Sequence, residues 1–147
     1  MSHARQQIRE KVASILTTAN AAAVISQSRV HPLPPNTTTA ALIYTNAEVI
    51  ADTTLTYPRK QMRELTLVVE AVTRAVSDLD DAMDTLCVSI EEAIANNHTL
   101  DGLAKDTSLI DTTITHDFSG DAPIGNARLQ FRVQYRTAEN DVETSLG

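Results

Sequence analysis

The stretch "ARLQFRVQYRT", Ala127 to Thr137, alternates without a break. Leu129, Phe131, Val133 and Tyr135 occupy one set of alternate positions. Arg128, Gln130, Arg132, Gln134 and Arg136 occupy the other. A two-residue period places the first set on one face of a β-strand and the second on the opposite face. The apolar face belongs against a core. The polar face, with three arginines, stands in a chain whose formal net charge is −7. Two readings of it stay open: it meets acidic groups on a neighbouring molecule, or it is the solvated face of an antiparallel sheet covered by arginine stems.

Upstream of this strand, "SGDAPIGN" reads as a turn and "DTSLIDTTITHDF" as a threonine-rich strand. Before them, "SDLDDAMDTLCVSIEEAIANN" carries the strongest helical pattern. Leu79, Met83, Leu86, Ile90 and Ile94 form its apolar stripe, with Ala82, Cys87 and Ala93 beside it. Ser77 or Asp78 is expected to cap it, and Asp80, Asp81 and Asp84 suit the positive end of the helix dipole. "NNHTLDG" ends the helix.

"PRKQMRELTLVVEAVTRA" reads as a long strand with Leu65, Leu67, Val69 and Ala71 on one face. A strand from Arg59 to Val72 would span roughly 45 Å, well above the usual length. Arg63 shares the apolar face but is charged, so burial is expected to begin near Leu65. The first third, "PRKQMRE", is therefore expected to be one arm of a projecting β-hairpin with "DTTLTYP" at its tip. "AALIYT" reads as a short buried strand, and "AEVIAD" continues it or pairs with it after a turn at Asn46. At the N-terminus, "SHARQQIREKVASILTTA" reads as a helix capped by Ser2, with Ile8, Val12, Ile15 and Leu16 inward. A strand near Val24 to Val30 follows, stopped by the proline-rich loop "HPLPPNTTT". The polar tail, about 138–147, is expected to be loosely held. The sum is an α+β fold: a mainly antiparallel sheet with two helices packed on one face and a projecting β-hairpin.

At 147 residues the chain has the length of one domain. Its negative charge argues against general affinity for nucleic acid. A single cysteine, Cys87, excludes an intrachain disulfide and fits a reducing compartment. No apolar run reaches the roughly 20 residues of a bilayer span, and "MSHARQQIRE" has no apolar core of a signal peptide.

No catalytic constellation emerges. The histidines, His3, His31, His98 and His116, have no metal-ligand spacing, and no cofactor is expected. His98 with Asp101, and His116 with Asp117, are the base–carboxylate pairs the order allows. A helix-end position for His98 and a surface-strand position for His116 explain both residues as well. Cys87 falls on an apolar stripe, where free cysteines are ordinarily core residues. "DLDD" lacks the glycine and spaced ligands of a calcium loop, and "DGLAKD" lacks the flanking glycine and Ser/Thr of a phosphate loop.

Several segments, in order along nearly the whole chain, carry a resemblance: "ARQQIRE", "QSRVHPLP", "ALIYT", "RELTLVVEAV", "DLDDAMDTLCVSIEEAI", "LDGLAKD" and "ARLQFRVQYRTAENDVET". Together they resemble minor tail proteins of long-tailed phages, of the tail terminator type related to lambda gpU. The pairing of "RELTLVVE" with the "DLDD" helix and the "VQYRTAE" ending are its most specific parts. The resemblance implies a non-enzymatic virion protein, assembled in the host cytoplasm. Such a protein forms a ring, typically hexameric, at the head-proximal end of the tail tube, where it ends tube growth and joins tail to neck. The implied partners are further copies of itself, the tail tube protein and the neck or connector protein. DNA passes through without specific binding, and no membrane is involved. Arg59, Lys60, Arg63, Arg128, Arg132 and Arg136 are the expected interface residues. A neck or head-completion protein is the alternative within this class. A small-ligand enzyme or binding module using His98 or His116 is the alternative outside it.

Overall fold

The computed structural model describes residues 2–27, 38–75, 77–118 and 123–147. Helix α1 spans Ala4–Thr18 and strand β1 Val24–Ser26. Strands β2 (Thr39–Asp52) and β3 (Lys60–Arg74) form a long hairpin. Helix α2 spans Leu79–Ala95, and a short 3-10 turn covers Leu100–Gly102. Strands β4 (Asp106–Asp117) and β5 (Ile124–Ala138) complete one five-stranded sheet of order β1-β2-β3-β5-β4. All neighbours are antiparallel except β1 and β2.

The expected α+β architecture is the observed one. β5 buries Leu129, Phe131, Val133 and Tyr135, and β3 buries Leu65, Leu67, Val69 and Ala71 on the same side. Against that face lie Ile8, Val12, Ile15 and Leu16 of α1 and Met83, Leu86, Cys87, Ile90 and Ile94 of α2, all in one cluster. With Trp absent, the core is aliphatic apart from Phe131 and Tyr135.

Three local expectations are corrected. "AALIYT" and "AEVIAD" form one strand, β2, and Asn46 is a bulge within it, not a turn. α1 is capped by His3, not Ser2: the His3 ring Nδ1 accepts from the Arg5 amide at 3.1 Å. The Ala4 amide donates to the Val142 carbonyl at 2.8 Å, so the C-terminal segment takes up a free helix-end donor. Burial and the Arg5 charge lower the His3 pKa, favouring the neutral ring that can accept. Asp78 stands at the α2 N-cap in a left-handed conformation, and its side chain makes no capping bond. That leaves Asp80 and Asp81 to complement the dipole.

The polar tail is held rather than loose. β4 begins opposite Gln134, so the edge of β5 beyond it is free of β4. The chain end fills that edge: the Leu146 amide donates to the Arg136 carbonyl at 2.8 Å, and the Arg136 amide donates to the Gly147 carbonyl at 3.1 Å. Gln7 reaches the Glu143 carbonyl at 2.6 Å and ties the tail to α1. In the expected Val24–Val30 strand, Val24–Ser26 is observed, as β1. Positions 28–30, the proline loop at 31–37 and residues 119–122 of the "SGDAPIGN" turn lie outside the described residues.

Candidate assembly interface

The bulge at Asn46 decides what the hairpin buries. Pairing runs Thr45↔Leu67, then Ala47↔Thr66 and Glu48↔Leu65. The extra residue brings Glu48 round to the helix-side face, whereas Ala40, Leu42 and Tyr44 point to the outer face. Glu48 accepts from Arg63 Nη1 at 2.6 Å, Arg5 Nη1 at 3.1 Å and the Tyr135 hydroxyl at 2.5 Å. Arg63 Nε donates to Thr137 Oγ1 at 3.0 Å and Nη2 to Gln61 Oε1 at 2.9 Å. The Arg63 and Glu48 side chains are 7% and 6% exposed.

Arg63 was expected on the surface of the arm, with burial starting at Leu65. It is instead a buried cation, because a buried carboxylate, a hydroxyl and an amide oxygen satisfy its guanidinium. Glu48 is the residue that sequence reasoning missed; simple alternation through Tyr44, Asn46 and Glu48 sends it to the wrong face.

The polar face of β5 is the outer face of the sheet. Arg128 lies opposite Glu70 of β3, and Glu70 also accepts from the Tyr44 hydroxyl at 2.7 Å. Burial first, and then the bond and charge of Glu70, raise the Tyr44 pKa. The Nε of Arg128 is buried without a hydrogen-bond partner among the described residues. Gln134 donates to Glu64 at 3.2 Å. Arg136 turns to the chain end, with Nε on the Gly147 carbonyl at 3.2 Å. Arg132 is exposed opposite Thr66 and Ser108. Much of the Arg/Gln face is therefore answered inside the chain, and of its two exposed cations, Arg132 and Arg136, the second is engaged by the chain end.

At the hairpin, Arg59 pairs with Glu139 through contacts of 3.1 and 3.2 Å, and the Glu139 amide donates back to the Arg59 carbonyl at 2.8 Å. Lys60 is exposed. Two large apolar side chains stand among threonines at the tip, Leu55 97% exposed and Tyr57 68%, with Val49 and Ile50 exposed along the arm. β5 continues beside β3 to its first residue, Lys60↔Ala138, so the hairpin is flanked by a third strand along all of β3, and positions 53–59 extend beyond the sheet.

At the other end of the sheet, His116 pairs with Asp80 at 3.0 Å and stacks on Phe118, with ring centroids 5.7 Å apart. His98 pairs with Asp106 at 3.2 Å. The expected partners Asp117 and Asp101 are displaced because the fold brings α2 over the end of β4 and sets the helix end beside its start. Neither pair grows into a three-ligand metal cluster among the described residues. His31 lies outside those residues. Among the described residues, no helix is long and apolar enough to cross a membrane.

Cys87 is buried, and desolvation, with Glu91 and Asp84 nearby, pushes its thiol up to about 11. Burial, and then its bond to Glu48, push the Tyr135 phenol up as well. Both folded values lie above the unfolded ones of 9.0 and 10.0. The stability they contribute is fully present below about pH 9 and is lost as pH rises through the folded values. The urea midpoint should therefore fall between pH 8.5 and about pH 10.5. Cys87→Ala should remove the earlier part of that fall. A midpoint unchanged across this window would show that neither group is desolvated by folding.

The fold and surface define an α+β, single-sheet protein whose hairpin tip exposes Leu55 and Tyr57. No protein-family model matches the chain, and no curated protein matches it in sequence. Among solved structures it is similar to a chain described as "Virion of native gene transfer agent (GTA) particle", at 15% identity, with 90% of each chain covered and a TM-score of 0.48.

Proposed function

We propose that this chain is a structural assembly protein that forms a ring at the head-proximal end of a phage tail tube, ending tube growth and joining tail to neck. The observation that carries an assembly role is the hairpin tip, where Leu55 and Tyr57 stand in solvent on an arm braced by β5. Large apolar side chains gathered on a protruding element mark a contact surface. The tail position comes from the sequence resemblance to tail terminator proteins, which runs in order along nearly the whole chain. Its partners in this reading are copies of itself, the tail tube protein and the neck or connector protein, with DNA passing through unread.

Native mass spectrometry over a concentration series, with electron microscopy of assembled tails, tests the reading. We expect a monomer or weak ring in dilute solution and a closed ring on the tail, because the contact carries charge and weakens with salt. A strictly dimeric species under every condition would overturn it.

A further inference from the structure

We propose that the hairpin tip of one copy docks against the far end of the sheet of a second copy, where β4 ends beside the start of α2. This deepens the ring reading above and rests on it. Two surfaces that no other element covers among the described residues carry the inference. One is the tip, with Leu55 and Tyr57 exposed and Lys60 at its base. The other is the cleft lined by Asp78, Leu79, Asp80, Asp81, His116 and Phe118. Phe118 is 69% exposed there, and Ile114, two pairs back along β4, is 47% exposed.

The register places these surfaces at opposite ends of one sheet. Lys60 opens β3 and pairs with Ala138, whereas Asp117 closes β4 and pairs with Ile124, which faces Arg74 at the end of β3. Fourteen strand steps separate the ends, about 45 Å at the usual rise. A tip cannot fold back onto its own cleft across that length, so the occupant is a second copy. Contact between two different patches is head-to-tail, the kind of contact whose repetition builds a ring when its rotation closes.

Charge fits the same pairing. At the tip end, Arg59 is answered by Glu139 and Asp52 takes a hydrogen bond from Gln61, which leaves Lys60 exposed. At the cleft end, Asp78, Asp80 and Asp81 are exposed, Arg74 is a cation nearby in the fold, and the His116 ring lies on Asp80. The apolar contact is made by Leu55 and Tyr57 against Phe118 and Ile114, with Lys60 directed to the aspartates. β4 pairs only with β5 among the described residues, so its outer edge leaves room for the incoming arm.

Cysteine cross-linking tests the geometry. The Leu55→Cys/Phe118→Cys double variant, oxidised at a concentration where the unmodified chain oligomerises, should give a ladder of dimer, trimer and higher bands. Either single variant should give dimer at most, and the unmodified chain, with Cys87 buried, none. Lys60→Glu and Asp81→Lys should each weaken association by about tenfold, a shift of about 1.4 kcal/mol, and the two together should recover it; Lys60→Glu should do so at unchanged melting temperature, whereas Asp81→Lys, in the first turn of α2, should also lower it slightly. Rings that form without a ladder, or a Leu55→Cys variant that yields more dimer than the double variant, would overturn the docking while leaving the ring reading intact. A chain that stays monomeric both in solution and on purified tails would overturn both.

Discussion

Glu48→Ala should lower the free energy of unfolding by about 3–5 kcal/mol, the cost of removing one partner from a buried ion pair. The change leaves the Arg63 guanidinium buried with Thr137 and Gln61 as its remaining partners, and it leaves the Tyr135 hydroxyl without its acceptor. It also frees Arg5, whose bond to Glu48 ties the first turn of α1 to the hairpin. Glu48→Gln should cost less, since an amide oxygen can still accept from Tyr135 or Arg63 but carries no charge. The double variant Glu48→Ala/Arg63→Ala should cost clearly less than the sum of the singles, because the stranded charge is gone. Replacing the pair with Leu and Met should be close to neutral, since buried ion pairs gain little over well-packed apolar side chains. Urea unfolding at neutral pH reads these variants together with Arg63→Ala. A single-variant cost below about 1 kcal/mol, the range of an exposed pair, would show that water reaches the cluster in solution.

That cluster marks where local pattern stops being informative. β5 was legible because Leu129, Phe131, Val133 and Tyr135 alternate strictly and all four are buried. α2 was legible because Met83, Leu86, Ile90 and Ile94 keep helical spacing. The arm was legible from the length of β3. Arg63 was not, because its burial depends on a carboxylate brought to the same face by a bulge fifteen or more residues away in sequence, and "TNA" around Asn46 does not announce one. The same holds for the tail. Its composition reads as solvent-loving, yet its backbone completes a strand edge and a helix end that exist only after folding. β1 was expected as a strand, but its parallel pairing with β2 covers only three residues, too few to be read from a periodic signal. Of the expected interface set, Arg59, Lys60 and Arg132 keep exposed side chains, Arg128 lies beside Glu70, Arg136 holds the tail, and Arg63 is internal. A sequence places cations on a face; which of them are already answered is a property of the pairing register.

Excising the hairpin tip should abolish assembly and leave the fold nearly as stable as before. The residues to replace are Thr54–Tyr57 and Pro58, by a short Gly–Asn type turn that keeps Arg59, because Arg59 and Glu139 anchor the base of the arm by backbone and side-chain bonds. None of the removed residues contributes to the core. Leu55 and Tyr57 are already in water in the isolated chain, so removing them forfeits little burial. Shortening a loop changes its closure entropy only slightly, since that term grows with the logarithm of length. The bonds lost are those that Thr54 makes to the Lys60 amide, a local contact at an exposed turn. Melting temperature should therefore shift by only a few degrees at most. Assembly should respond quite differently, because a contact centred on two large side chains loses its buried anchor when both are deleted. The readout is the yield of infectious particles when the variant replaces the unaltered protein, scored beside a melting curve. Normal yield from a well-folded tipless protein would make the arm a passive loop and remove the observation on which the assembly role stands. A collapse in melting temperature would mean instead that the tip belongs to the folded core.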